Sequence, residues 1–419
     1  MRESTRYIVL GNVDAGKSSF VSVMCNNKLD NGNGSARSLI IKSKHELESG
    51  RTSSHTPHYM INDDNVITLV DLCGHEKYLK TTIFGVTGMF ADYGILVIGS
   101  NQGVTQMMIE HLGLLISNKI PFIVILNKID ICPQNVMTTL KKQLERIARQ
   151  NSKQLIYFTE DQKEITDSCS MFIESFQRRE ADIIPVISVS NKTGFNIEFV
   201  KNLLTTIEPS KEDDAFAVSY PTVMFVDHLF NVNGVGKVLS GTVKYGEISF
   251  GQKLYLGPLS GKYVPVVVKS MHNCISQNVN KLEKDRSGSI GIRLDNKSDF
   301  SKDMFRKGQI LTTHLPFAVS KTCWSFECEV IIFNHPTTIV TGYQSVIHCG
   351  TVRQCAVFIL PDENVLRSNS REIITIRFLF RPEFILSGSY FMFRDGRTKG
   401  MGRVRSCLQD VPEIPLRKR

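Results

Sequence analysis

From residue 6 to about residue 210, short apolar runs alternate with stretches of helical period, and beyond that point the pattern changes. The runs Tyr7 to Leu10, Val66 to Val70, Phe122 to Leu126 and Ile183 to Ile187 predict strands, while Lys17 to Asn26 and Ile197 to Ile207 predict helices. Strands alternating with helices give the βα rhythm of a parallel sheet covered on both faces. Between Asn26 and Ser54 the pattern dissolves into Asn, Gly, Ser and Lys around Asn31-Gly32-Asn33-Gly34, and a mobile loop is expected there. The polar, helix-breaking stretch Glu208 to Asp214 marks a domain boundary. From Ala217 onward short apolar runs are separated by Gly-rich turns at Asn233-Gly234-Val235-Gly236, Tyr245-Gly246-Glu247 and Ser287-Gly288-Ser289, the rhythm of one or two β-barrels. A second seam near Leu315-Pro316-Phe317 precedes a further strand pattern that runs from Cys323 to Arg403. The expected architecture is an α/β domain with a parallel-rich sheet over residues 1–212, followed by two antiparallel β-barrel domains over 213–317 and 318–419.

Composition narrows the class without choosing a function. A chain of 419 residues is long enough for about three ordinary domains, and 42% hydrophobic residues suffice for a core in each. The ten cysteines are scattered, with no Cys-x-x-Cys pair and no Cys/His cluster at zinc spacing. In a chain without a secretory signal this points to reduced, mostly buried thiols and a cytoplasmic location. Met1 to Arg6 has no apolar leader, the first strand begins within a few residues of Met1 so that no N-terminal extension is expected, and no apolar run reaches the roughly eighteen residues of a membrane span. A net charge of +9 favours a polyanionic partner but does not choose among RNA, DNA and a membrane surface. The basic tail Leu416 to Arg419 reads as a solvated end.

Chemistry first shows at Gly11-Asn12-Val13-Asp14-Ala15-Gly16-Lys17-Ser18, a phosphate-binding loop placed between a predicted strand and a predicted helix. Its glycines let backbone N–H groups wrap a triphosphate, Lys17 reaches the β and γ phosphates, and the Ser18 hydroxyl can ligate Mg²⁺ at the positive end of the following helix. Asp71-Leu72-Cys73-Gly74 follows another strand: Asp71 is placed to hold Mg²⁺ through a water, and Gly74 can bring its N–H to the γ phosphate. Asn127-Lys128-Ile129-Asp130 ends a third strand. The Asp130 carboxylate can accept two hydrogen bonds from the N1–H and 2-amino edge of guanine, which adenine does not offer. Ser188-Val189-Ser190-Asn191-Lys192 ends a fourth, where a turn can give a backbone N–H to the guanine O6. Each piece alone also suits an ordinary polar loop end; four in this order point to a GTP site.

Together these residues resemble translational GTPases of the elongation factor Tu and elongation factor one-alpha class, whose phosphate loop commonly reads G-H-V-D-H-G-K and whose second motif reads D-x-P-G-H. The chain is still more similar to the eukaryotic GTP-binding protein one and two subfamily. That likeness rests on the phosphate loop itself, on Leu29-Asp30-Asn31-Gly32, on His45 to Ser54, on Gly74 to Thr82, and in the C-terminal half on Asn334 to Thr338 and Gly396-Arg397-Thr398-Lys399. Asp227 to Gly241 with Thr242-Val243 resembles the start of the family's second domain, and Gly342 to Cys349 and Phe393 to Thr398 resemble strings of its third.

The resemblance implies a GTP/GDP site built from Gly11, Asn12, Val13, Asp14, Ala15, Gly16, Lys17, Ser18, Ser19, Thr52, Gly74, Asn127, Lys128, Asp130, Ser190, Asn191 and Lys192. It implies Mg²⁺ held by Ser18 and Thr52 directly and by Asp71 through a water, with Thr52 as γ-phosphate sensor in the first switch. Asp14 would help bind a monovalent cation such as K⁺, and His75 would orient the attacking water as the catalytic residue. Two departures stand out. Arg51 replaces the apolar gate residue of elongation factor Tu, although the closer subfamily shares the Arg-Thr pair, and Cys73 replaces the usual Pro before Gly74. The expected partners are the ribosome and aminoacyl-tRNA, with no DNA and no membrane, for a chain taken as a monomer. Arg394, Arg397 and Lys399 are candidate phosphate contacts that serve equally well as solubilising strand-edge charges. A ribosome-rescue GTPase carrying a release-factor-like protein shares every motif. A third reading, a non-hydrolysing GTP-dependent module in an mRNA-decay assembly, is opposed by the intact Lys17, Thr52, Gly74 and His75. His335 and His348 are expected to be structural, and Trp324 to pack in the third domain's core.

Overall fold

The computed structural model describes residues 2–41, 46, 52–53, 55–62, 65–160, 167–178, 182–209, 220–294, 305–361, 365–396 and 398–408. Arg51, Arg397, most of the Glu208 to Asp214 boundary and the basic tail fall outside them. Contacts divide the chain into two units, residues 1–86 with 90–213, and residues 87–89 with 214–419. Among the described residues no helix is long and apolar enough to cross a membrane.

In the first unit the elements run β1 Arg2–Gly11, α1 Lys17–Asn26, α2 Ser35–Ser38, β2 Thr56–Asn62, β3 Asn65–Asp71, α3 Leu79–Gly88, β4 Tyr93–Gly99, α4 Gln106–Ser117, β5 Phe122–Asn127, α5 Gln134–Gln150, β6 Gln154–Phe158, α6 Asp167–Gln177, β7 Ile183–Ser188 and α7 Ile197–Thr206. The seven strands form one sheet in the order β2-β3-β1-β4-β5-β7-β6, parallel except that β2 runs antiparallel to β3. The alternation of side chains along each strand explains why both faces are apolar. Tyr7, Val9, Leu69, Ile95, Val97 and Ile125 share a cluster with Phe20 and Val23 of α1, Phe172 and Phe176 of α6, and Phe199 and Leu203 of α7. Their neighbours Leu96, Phe122 and Val124 face Met108 and Leu112 of α4 and Leu144 of α5. The parallel register then puts the ends of five strands on one edge: Val9 pairs with Asp71, Gly11 with Val97, and Leu126 with Ser188. That edge is where ligands of doubly wound sheets collect.

The second unit holds two closed six-stranded antiparallel barrels. The first uses strands Val223–Val232, Gly236–Tyr245, Lys253–Leu259, Lys262–Asn273, Arg286–Leu294 and Ile310–Thr312, around Met224, Leu239, Leu256, Val266 and Ile290. The second uses Ser325–Asn334, Gln344–Cys349, Val352–Ile359, Arg371–Phe378, Tyr390–Asp395 and Thr398–Leu408, around Phe326, Phe358, Phe378 and Phe391. Glu383 is fully buried and accepts from Arg306 Nη2 at 2.6 Å and Gln354 Nε2 at 2.7 Å, so its charge is paired.

Three expectations are corrected here. Ser287-Gly288-Ser289 is the interior of strand Arg286–Leu294 and not a turn. Gly288 opposes Gly241, and a Cβ there would lie 2.6 Å from the His272 carbonyl oxygen, so the glycine serves close strand contact. The loop after α1 contains the short helix α2. Trp324 is half-buried and outside the second barrel's core cluster, which is built largely from aliphatic residues and phenylalanines.

Candidate nucleotide site

The residues singled out from the sequence converge on the carboxyl edge of the sheet. β1 ends at Gly11, the chain turns through Asp14 at φ 60°, and Gly16 at φ 88° starts α1. The left-handed conformation at Gly16 suits glycine, and a Cβ there would meet Asn127 Nδ2 at 2.2 Å, so Gly16 is required on both counts. Asn127 Nδ2 donates to the Ala15 carbonyl at 3.0 Å and Asn191 Nδ2 to the Gly16 carbonyl at 3.3 Å. The two base-side loops thus tie back the carbonyls of the phosphate loop, a task that the motifs alone do not assign to either Asn.

Lys17 is buried, and its ammonium donates to the Asn12 carbonyl at 2.9 Å. Burial lowers its pKa, an effect that the negative charge of Asp71 opposes. Ser18 Oγ donates to Asp71 Oδ2 at 2.6 Å, and the Thr52 hydroxyl lies 3.3 Å from the same oxygen and 3.1 Å from Ser18 Oγ, so its one proton can go to either. Burial raises the Asp71 pKa, while Lys17 and the two hydroxyls hold it back. Three hard oxygen donors beside a buried ammonium are a fitting donor set for Mg²⁺. Gly74 is packed so closely that a Cβ would lie 2.4 Å from Lys17 Nζ and 2.8 Å from the Gly11 carbonyl oxygen.

His75 starts a 3₁₀ turn, Glu76–Tyr78, and its Nδ1 accepts from the Lys77 N–H at 3.1 Å. The neutral ring therefore carries its proton on Nε2. On the base side, Ser190 Oγ donates to Asp130 Oδ1 at 2.7 Å and accepts from the Lys192 and Thr193 N–H groups, which orients the Asp130 carboxylate. A cleft of about 270 Å³ is lined by Asp14, Lys17, Ser18, Thr52, Gly74 and His75 among others.

Two residues of the site were not legible in the sequence. His111 of α4 is fully buried and its Nδ1 accepts the Gly11 N–H at 3.1 Å, holding the entry to the phosphate loop. Burial, then the charge of Lys17, pushes its pKa down to about 3. Glu46 accepts from Ser53 N at 2.7 Å and Ser53 Oγ at 2.8 Å, latching the residue next to Thr52. A polar residue in a buried helix face was the available signal for His111; a charged residue in a polar loop gives none for Glu46. Away from this site, His335 Nδ1 hydrogen-bonds Thr398 Oγ1 at 2.6 Å, and His348 is buried in its barrel.

A family model described as the elongation factor Tu GTP binding domain matches residues 2–227. The chain belongs to this family of translational GTPases. Among curated proteins, GTP-binding protein 1 of Xenopus laevis is 33% identical over 98% of this chain, which spans 64% of that protein's length. GTP-binding protein 2 of Homo sapiens is 32% identical over 95% of the chain and 68% of its own length. Among solved structures, the GTPase-like domain of Saccharomyces cerevisiae Ski7, bound to GTP, shares the fold at a TM-score of 0.72 and 15% identity, with 96% of each chain covered.

Proposed function

We propose that the chain binds GTP and GDP in this cleft, hydrolyses GTP when a ribosome engages it, and acts in the cytoplasm as a translation factor that presents aminoacyl-tRNA to the ribosomal A site. The convergence of the Ser18, Thr52 and Asp71 oxygens beside buried Lys17, in a member of this family, carries the reading. In it residues 1–212 form the GTP-binding domain, with barrel domains over 213–317 and 318–419.

Ser18 and Thr52 would hold Mg²⁺ directly and Asp71 through a water, and the ion would supply charge neutralisation at the phosphates. Lys17 binds the same phosphates, and the Asn127 and Asn191 clamps hold the Ala15 and Gly16 carbonyls back, which leaves the N–H groups at the start of α1 to face them. Asp130, steadied by Ser190, reads the guanine edge. His75 offers an N–H at Nε2, so it orients the attacking water as a donor and does not act as a general base in this arrangement. Asp14 would contribute a carboxylate to a monovalent cation such as K⁺, which would offset charge on the phosphates. Loss of the γ phosphate releases Thr52, and the Glu46–Ser53 latch carries that release into the first switch. Arg394 and Lys399 are the described candidates for RNA phosphate contacts.

A second reading is a ribosome-rescue GTPase that holds a release-factor-like protein, since it shares every motif of this site and the same family domain. Protection of the aminoacyl ester separates the two. The GTP-bound chain is expected to slow spontaneous deacylation of aminoacyl-tRNA. Absence of protection, with tight binding to a release-factor-like protein, reverses the assignment.

A further inference from the structure

The segment from Leu29 to Arg37 is fixed over the cleft from the base side. The Asp30 N–H donates to the Asn191 carbonyl at 2.9 Å, and Leu29 packs 3.3 Å from where a Cβ on Gly194 would stand. The Asp30 carboxylate accepts from the N–H groups of Gly32 at 3.1 Å, Gly34 at 3.3 Å and Ala36 at 2.9 Å. These amides are bonded within the protein and are not offered to a ligand. What the segment delivers to the cleft is a side chain: Arg37, half-buried on α2, lines it together with Lys17, Ser18, Thr52, Gly74 and His75.

Charge makes that placement informative. Arg37 and Lys17 line the same cleft, where the Asp71 carboxylate is already engaged by the Ser18 and Thr52 hydroxyls. Lys128 adds a third cation to the same wall, against Asp14 and an Asp30 whose carboxylate is occupied by backbone N–H groups. Cations gathered in a cleft of low dielectric repel one another, and a polyanion relieves the repulsion.

We infer that Arg37 is a further phosphate-binding residue of this site, held by Asp30 and the base-side loop so that its guanidinium reaches the terminal phosphate of a nucleoside triphosphate. It shares the cleft with Thr52 and Gly74, the residues assigned to that phosphate, and with His75, assigned to the attacking water, and the inference rests on the GTP reading above.

The test measures dissociation constants of the full chain for fluorescent mant-GTP and mant-GDP. A charge-assisted hydrogen bond predicts about a tenfold or greater loss of mant-GTP affinity in Arg37→Ala, with mant-GDP changed by less than about threefold. Arg37→Lys should fall between, since it keeps the charge and loses the fork. Wild type binding neither nucleotide overturns the site reading and Arg37 with it. Wild type binding both, with Arg37→Ala unchanged or weakened equally for both, overturns the assignment of Arg37 alone. Should Arg37→Ala melt well below wild type, Arg37→Gln replaces it: selective loss of mant-GTP affinity supports the assignment, and an equal or absent change overturns it.

Discussion

Replacing His111 by Asn tests whether the entry to the phosphate loop is held by a neutral buried imidazole. The Asn Oδ1 stands where His Nδ1 stands, so the Gly11 N–H keeps an acceptor while the titrating ring is removed. In the folded chain the His111 pKa is about 3, against an ordinary value of 6.5. A depressed folded-state pKa on a base means that the unfolded chain takes up the proton first. The stability contributed is therefore fully present above about pH 6.5 and is lost progressively as the pH falls toward 3. Between pH 7 and pH 5, proton uptake by an unfolded imidazole is worth about 2 kcal/mol, and the slope below that approaches roughly 1.4 kcal/mol per pH unit. Urea unfolding at pH 7, 6 and 5, with hydrogen exchange of β1 amides reporting the α/β unit, gives the measurement. Carboxylates titrate alike in both proteins, so the difference in pH slope isolates His111. Wild type should lose about 2 kcal/mol more than His111→Asn over this interval. Equal slopes, within about 0.5 kcal/mol, would show that the ring is solvated or already charged and would refute the argument. A companion His111→Leu leaves the Gly11 N–H unpartnered and should cost a further 1–3 kcal/mol or so at pH 7, relative to His111→Asn.

Gly74→Ala places a methyl 2.4 Å from Lys17 Nζ and 2.8 Å from a backbone oxygen that cannot yield; mant-GTP affinity should fall by at least about two orders of magnitude while the barrels melt unchanged. Asp130→Asn turns an acceptor pair into a donor–acceptor pair, so competition assays should show guanine nucleotides losing affinity and xanthine nucleotides gaining it. Glu383→Ala strands Arg306 in a buried site and should destabilise the second unit by about 3–5 kcal/mol in urea, whereas nucleotide affinity should be unchanged.

The sequence spoke most clearly where local chemistry decides structure. The expected and observed limits of α1 coincide at Lys17–Asn26 because Gly16 and Asn27 each adopt a left-handed conformation that stops the helix. The four motif-bearing strands were visible as apolar runs because a parallel sheet buries both faces. What escaped was decided by distant parts of the chain. His111 meets Gly11 across 100 positions, and no spacing rule connects them. Helix α2 forms where composition predicts loop, because the Asp30 carboxylate satisfies the Gly34 and Ala36 N–H groups at its start. Gly288 looked like a turn because a glycine that lets two strands approach has the same local signature as one that lets the chain reverse. Within the site, Ser18, Thr52 and Asp71 were each named by motif, and the structure brings their oxygens together. Their shared oxygen cluster, and the latch that Glu46 puts on the residue beside Thr52, are tertiary facts.

The central claim is that this cleft is a GTP-hydrolysing timer released by the ribosome, and single-turnover hydrolysis of GTP with and without ribosomes tests it most directly. The account predicts slow turnover alone, acceleration by orders of magnitude with ribosomes, and loss of that acceleration in His75→Ala while mant-GTP affinity stays near wild type. Equal rates with and without ribosomes, or full acceleration in His75→Ala, would contradict it.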